Sequence, residues 1–336
     1  MLASMELRCF FTSRPLVRHE TSTWNPPTSL QRATLFFSPL KPFRDRLPQL
    51  RVVASTPPPK SLNQQARRTD DGIPMDYVKT LAKFKSRHNH IRVLEISRRL
   101  DHPFAGSRLL LLDRPGNIHS IAFLFKLLTG TYFDVFATFP AILSDGPLAI
   151  LGLGAGTAAS MILQLYPQAE IHGYEIDPCV VSVGREYFGL SKIEKQHRGR
   201  IFIYVGDALR ASVREGFSGM IVDLFSKGVV IPELQKPETW VRLRSNLRKG
   251  GRVMVNCGGS CVEPEDAARD GASIMEETLK AMDEAFHGQV SVLKLGDRKE
   301  DSCLALTGPM PDPVAWKQAL QSSLRHHVDM WRPYRR

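Results

Sequence analysis

The stretch from Leu148 to Asp177, LAILGLGAGTAASMILQLYPQAEIHGYEID, constrains the fold more than any other part of the chain. An apolar run ends in glycines at alternate positions, Gly152, Gly154 and Gly156. A helix-like segment follows, and a second apolar run ends in Glu175 and Asp177. This is the layout of a nucleoside-binding βαβ unit. Glycine lets a backbone approach a ligand where a Cβ would collide. A carboxylate at the end of the second strand can accept hydrogen bonds from both hydroxyls of a ribose.

Two ligand classes use such a loop. A dinucleotide fingerprint, G-x-G-x-x-G, seats a pyrophosphate against a helix start and would need glycine at Thr157. The G-x-G-x-G pattern here suits a ligand without phosphate, a nucleoside of the S-adenosylmethionine type. Glu175, 19 residues after Gly156, is the ribose candidate. A third strand, Ile201–Val205, runs into Gly206-Asp207-Ala208, where Asp207 can accept from an exocyclic adenine amine and Ala208 adjoins it. A fourth, Met220–Val222, ends at Asp223. In a doubly wound sheet the first and fourth strands flank the ligand crevice, so Asp223 is the candidate for orienting an amine nucleophile or taking its proton.

The rest of the chain arranges itself around this unit. Residues 1–54 carry eight basic and three acidic residues and no long periodic segment, the composition of a transit peptide. Val52-Val53-Ala54-Ser55 resembles a chloroplast processing site, so the expected compartment is the stroma. Residues 55–75, rich in Pro, Arg, Gln and Asp, read as a disordered linker. Residues 76–143 hold IRVLEIS, SRLLLLD and NIHSIAFLF, an antiparallel β module of about three strands, and then a helix-like Thr131–Leu143. Residues 144–312 alternate strand and helix, with further strands at Arg252–Asn256, Val290–Leu295 and Cys303–Thr307 and a helix near Ser273–Phe286; the last hairpin can turn antiparallel. Residues 313–336 read as one helix with a basic tail, His326 and His327 on its solvated surface. The expected fold class is therefore α/β, a doubly wound Rossmann-like seven-stranded sheet preceded by a small antiparallel β module.

Composition narrows the partners. The formal charge is +11, but the chain after residue 54 has 37 basic against 31 acidic residues, too mild and scattered an excess to argue for nucleic acid. No apolar run approaches the roughly 20 residues of a membrane span. None of the five cysteines stands in C-x-x-C spacing, and no metal site is expected; Cys257 and Cys261 are the nearest pair for a regulatory disulfide. Edges of the β module would suit a homodimer.

These motifs together resemble the spermidine synthase-like, aminopropyltransferase-related branch of the class I S-adenosylmethionine-dependent methyltransferase superfamily, over roughly residues 90–310. The resemblance implies S-adenosylmethionine or its decarboxylated form as ligand, Asp223 as catalytic aspartate, and a substrate-side segment before the glycine loop. Tyr132-Phe133-Asp134-Val135 and Thr138-Phe139-Pro140 resemble that segment, with Tyr132 and Asp134 as weaker substrate candidates. The family's acidic loop after the fourth strand, Asp-Ser-Ser/Thr-Asp-Pro, is here Asp223-Leu224-Phe225-Ser226-Lys227, and its Gln is Phe133. A polyamine ammonium thus loses a carboxylate partner and faces Lys227, a like-charge cost on the order of 4 kcal/mol at 4 Å before screening. The expectation is methyl transfer to a small-molecule or protein amine, with polyamine aminopropyl transfer and a non-catalytic nucleoside-binding scaffold as alternatives.

Overall fold

The computed structural model describes residues 73–113, 117–259, 264–266, 268–296 and 302–334. The chain divides into residues 1–60 and 61–336, and every described residue belongs to the second unit. The transit-peptide expectation, most of the linker, and Cys9 and Cys261 lie outside the described residues.

A four-stranded antiparallel sheet comes first: β1 (Val78–Lys85), β2 (His90–Ile96), β3 (Ser107–Leu112) and β4 (Asn117–Phe123), paired in chain order. It has one strand more than expected. The extra strand, β1, is an edge with no fully buried residue, so it lacks the apolar alternation that marks β2 and β3. Folded structure also starts earlier than Asp76, because Ile73 is fully buried. The helix-like segment splits into α1 (Tyr132–Phe136) and a 3-10 turn at Phe139–Ile142. Pro140 has no N–H and disfavours helix in the residue before it.

The large sheet is built from β5 (Leu148–Leu151), α2 (Thr157–Leu165), β6 (Ile171–Glu175), α3 (Pro178–Tyr187), α4 (Leu190–Gln196), β7 (Ile201–Val205), β8 (Phe217–Val222), the small hairpin strands β9 (Phe225–Ser226) and β10 (Val229–Val230), α5 (Pro237–Ser245), β11 (Leu247–Asn256), α6 (Gly271–Ala285), β12 (Val290–Leu295), β13 (Ser302–Thr307), α7 (Pro313–Ala319) and β14 (Arg332–Pro333). Its order is β14-β12-β13-β11-β8-β5-β6-β7. Strands β7, β6, β5, β8 and β11 are parallel, and β13 enters antiparallel between β11 and β12. The seven expected strands are present, and the two-residue β14 adds an eighth at the edge.

Alternation along the strands feeds two apolar layers. Leu148, Ile150, Ile171 and Ile221 face α2, Phe136, Phe139 and Trp316; Ala149, Leu151, Met220 and Val222 face Trp240, Leu243 and Met282. The tail differs from the expected single helix. After α7 it runs as a 3-10 segment, Ser322–Met330, and then pairs with β12. His327 is buried, not solvated, and burial together with neighbouring His326 pushes its imidazole down to about 4.

The β module is fastened to the glycine loop. Ser120 Oγ accepts from Ala155 N at 2.9 Å, and Thr157 Oγ1 bridges the backbone N–H and carbonyl of Ile121. At the other end of the module, Ser86 and Asn89 both donate to Asp177. Strand β4 therefore lies over the crevice at the carboxyl ends of β5, β6 and β8, where ligands bind in open α/β sheets.

Candidate active site

Parallel register sets the site's frame. Leu151 pairs with Tyr174 on one side and Val222 on the other, so the residues that follow emerge side by side. Gly152 has φ +88°, and a Cβ there would come within 2.1 Å of the Asp223 carbonyl oxygen. Its glycine is thus required by the protein's own close packing of β5 on β8, in addition to any ligand approach. Gly154 turns its amide onto Glu175 Oε2 at 2.9 Å, and Gly156 caps α2 in a left-handed conformation.

Glu175 ends β6 and is buried. Its second oxygen accepts from Asp177 N at 3.0 Å. Burial raises its pKa, while the amides of Asp177 and Gly154 and the nearby His119 pull the other way. Each oxygen thus uses one N–H and keeps acceptor capacity, which fits a pair of ribose hydroxyls. Asp207 follows β7, caps the 3-10 turn Ala208–Arg210 through Leu209 N at 3.0 Å, and is half exposed; Ala208 beside it is buried.

Asp223 sits opposite, partly exposed at the end of β8. Tyr132 Oη donates to its Oδ2 and Asn256 Nδ2 to its Oδ1, each at 3.0 Å. Burial raises its pKa to about 6, against the opposing pull of Asn256, Tyr132 and His119. Asn256 closes β11 and is steadied by Gly258 N on its own Oδ1 at 3.0 Å. Nothing local in the sequence marks Asn256; only its place at a strand end beside β8 does.

The structure brings Tyr132 to Asp223 but leaves Asp134 elsewhere. Both oxygens of Asp134 are taken up by the turn before α1, through Thr129 N, Thr129 Oγ1 and Gly130 N at 2.7–2.9 Å. Phe133 is buried and stacks on Tyr132 with ring centroids 4.2 Å apart. The altered loop after β8 is the tight β9–β10 hairpin. Lys227 and Gly228 form its turn with φ of +54° and +76°, the signature of a type I′ turn. Gly228 N donates to Asp113 Oδ2 at 2.9 Å, which ties the hairpin to the end of β3. The same carboxylate oxygen faces His119 Nε2 of β4 at 3.3 Å. Asp113 and His119 escaped the sequence reading because each lies in a run, SRLLLLD or NIHSIAFLF, read only as a strand of the β module. Among the described residues no cluster of His, Cys, Asp and Glu is arranged to hold a metal, and no helix is long and apolar enough to cross a membrane.

A probable spermidine synthase from Corynebacterium glutamicum superposes with a TM-score of 0.54 at 17% identity, over 74% of this chain and 93% of that one. The chain thus has a spermidine synthase-like fold. Sequence relatives are more distant in extent. A probable polyamine aminopropyl transferase of Bifidobacterium longum is 27% identical over 173 residues, 51% of this chain. A polyamine aminopropyltransferase of Vibrio vulnificus is 30% identical over 115 residues, 32% of this chain. The chain spans about a third (36%) of the length of both relatives. An eEF1A lysine and N-terminal methyltransferase of Bos taurus is 35% identical over 72 residues, 21% of this chain and 10% of that protein. No protein-family model matches the chain.

Proposed function

We propose that this spermidine synthase-like protein transfers an alkyl group, a methyl in the leading reading, from a sulfonium nucleoside of the S-adenosylmethionine type to an amine. The observation that carries the proposal is the pair of carboxylates, Glu175 and Asp223, on the two strands flanking β5 and its glycine loop. Glu175 holds the ribose, with Asp207 and Ala208 beside the adenine. Asp223, fixed by Tyr132 and Asn256, attracts the acceptor's ammonium. The sulfonium supplies an already activated carbon, so the protein's work is to align the acceptor nitrogen with it.

Methyl transfer is favoured over polyamine chemistry by the hairpin. Its positions Ser226 and Lys227 carry no carboxylate for a second ammonium, and Lys227 adds a positive charge. The methyltransferase relative points the same way. The second reading, aminopropyl transfer from the decarboxylated nucleoside, is favoured by the names of the two bacterial relatives. Calorimetric titration with both nucleosides decides between them. Tighter binding of S-adenosylmethionine supports methyl transfer, tighter binding of the decarboxylated form supports the second reading, and no binding of either leaves a scaffold.

The basic N-terminal composition supports plastid import, which remains part of the proposal. A reporter fused to residues 1–60 is expected to enter chloroplasts, and retention in the cytosol would remove this element.

A further inference from the structure

We infer that His119, paired with Asp113, takes the proton that the acceptor amine must lose before it attacks the donor carbon. The inference rests on the transferase reading above and adds the residue that the reading lacks. Asp223 accepts one hydrogen bond on each oxygen, from Tyr132 and from Asn256, and its remaining lone pairs are left for the acceptor's ammonium. It is placed to attract and orient an ammonium.

His119 has the parts a proton acceptor needs. Its Nε2 faces Asp113 Oδ2 at 3.3 Å. Burial works against the charge of Asp113, yet His119 and the amides of Gly228 and Lys227 outweigh it and hold the carboxyl below its usual value. An ionised Asp113 accepts the Nε2 proton and leaves Nδ1 as the basic nitrogen, the arrangement in which a carboxylate fixes a histidine's tautomer and steadies its imidazolium.

Position supports the same role. The His119 side chain is 18% exposed, so it is neither sealed in the core nor free in solvent. Phe225, two residues beyond Asp223, meets its ring edge-on at 6.3 Å between centroids. The His119 carbonyl would lie 3.4 Å from a Cβ on Gly154, so β4 carries this residue directly over the glycine loop. The charges around it come from each neighbouring element: Asp113 after β3, Glu175 from β6, Asp223 after β8 and the exposed Lys227 of the hairpin turn. A protonated His119 lowers the pKa of both Glu175 and Asp223, so the ring is within electrostatic reach of both halves of the site.

The step balances. An alkylammonium acceptor gives one proton to Nδ1, and the imidazolium is held by Asp113. The freed lone pair forms the N–C bond while the C–S bond breaks. Its electron pair stays on sulfur, turning the sulfonium into a neutral thioether. The product leaves as a substituted ammonium, and the ring returns its proton to water.

His119→Gln keeps a donor for Asp113 and removes the base. The test measures donor affinity by calorimetry and release of the thioether nucleoside from S-adenosylmethionine and from its decarboxylated form. Propylamine, putrescine and a lysine-containing peptide serve as acceptors, across pH 6.5–9.5. The variant is expected to bind donor within about threefold of wild type and to turn over about 100-fold slower near pH 7. The deficit should shrink about tenfold per pH unit as the amine deprotonates unaided. Equal turnover, or a deficit that is the same at every pH, overturns the inference and leaves the transferase reading standing. A wild type that binds donor but releases no thioether with any amine overturns the transferase reading and the inference with it. Ring ¹⁵N shifts of the wild type give a second measure: a neutral His119 protonated on Nε2 supports the pairing, and one protonated on Nδ1 overturns it.

Discussion

Asp223 carries the largest electrostatic penalty on the acceptor side of the site. Its carboxyl is raised from 3.8 to about 6, chiefly by burial. The sign follows from linkage. Below the unfolded value both states hold the proton, and no penalty exists. As pH rises from about 4 to 6 the unfolded chain ionises more readily than the folded one, so stability falls, and above about 6 the loss is constant. A carboxyl raised this far loses about 3 kcal/mol across that window. Asp223→Asn removes the charge, so relative to wild type it should gain about 3 kcal/mol between pH 4 and pH 8, read from urea midpoints at each pH. Activity should fall at least roughly tenfold at the same time, through loss of a charge-assisted bond of about 1.5–3 kcal/mol to the acceptor's ammonium. A stability difference that does not change with pH would show that Asp223 is not desolvated. Glu175 needs a gentler substitution. Its two oxygens satisfy Gly154 N and Asp177 N, so truncation to alanine would strand two amides and damage the loop itself. Glu175→Gln keeps one acceptor oxygen. Losing charge-assisted bonds of about 1.5–3 kcal/mol each should weaken donor binding at least roughly tenfold by calorimetry. Wild-type affinity should also decline on acidification at a higher pH than an ordinary glutamate predicts, and the variant should lack that decline.

Elements explain which parts of the site could be read in advance. The glycine loop, Glu175 and Asp207 sit at fixed distances along or after apolar strands, so local sequence order is enough to place them at the carboxyl ends of β5, β6 and β7. Asn256 lies far along the chain from His119 and Asp113, and the three reach the site only through sheet register and the docking of β4. No local motif marks them. The hairpin was legible as a departure from the family's acidic loop but not as a structure, because a lysine at positive φ is an uncommon turn residue. Asp134 was misleading for the opposite reason: it keeps a family-like position while its oxygens serve the turn beneath it. The hairpin also yields a functional expectation. Gly228 N on Asp113 holds it in a conformation that presents Ser226 and Lys227 where the family has an acidic loop. Putrescine and the decarboxylated donor should therefore give spermidine at less than about a hundredth of the rate with the preferred acceptor, a deficit of about 3 kcal/mol. Robust spermidine formation, detected by chromatography, would reverse the ranking of the two transfer reactions.

At the scale of the molecule, the β module and the large sheet share one core. Ile73, Ile96, Leu109 and Ile121 from the module belong to the same buried cluster as Leu148, Ile150, Trp316 and Trp331. Ser120 and Thr157 add hydrogen bonds across the same junction. Two units joined by a continuous apolar core unfold together, whereas units joined only by a polar interface come apart separately. This can be checked with one residue that the sequence placed in a linker. Ile73 is 1% exposed, and replacing it with alanine should cost about 2–5 kcal/mol. Met75, two positions on, is 48% exposed, and Met75→Ala should stay within about 0.5 kcal/mol of wild type. Of the chain's four tryptophans, Trp240, Trp316 and Trp331 lie beyond the module, and the fluorescence of these three reports on the large sheet and its tail. If the two parts fold as one, Ile73→Ala shifts that fluorescence transition to lower urea while keeping a single sharp step. If instead far-ultraviolet circular dichroism shows an early strand loss and the fluorescence midpoint stays at the wild-type value, the module unfolds independently. The fixed placement of β4 over the glycine loop would then be a property of the folded pair that module opening can abolish, and His119 would be the first functional residue to leave the site.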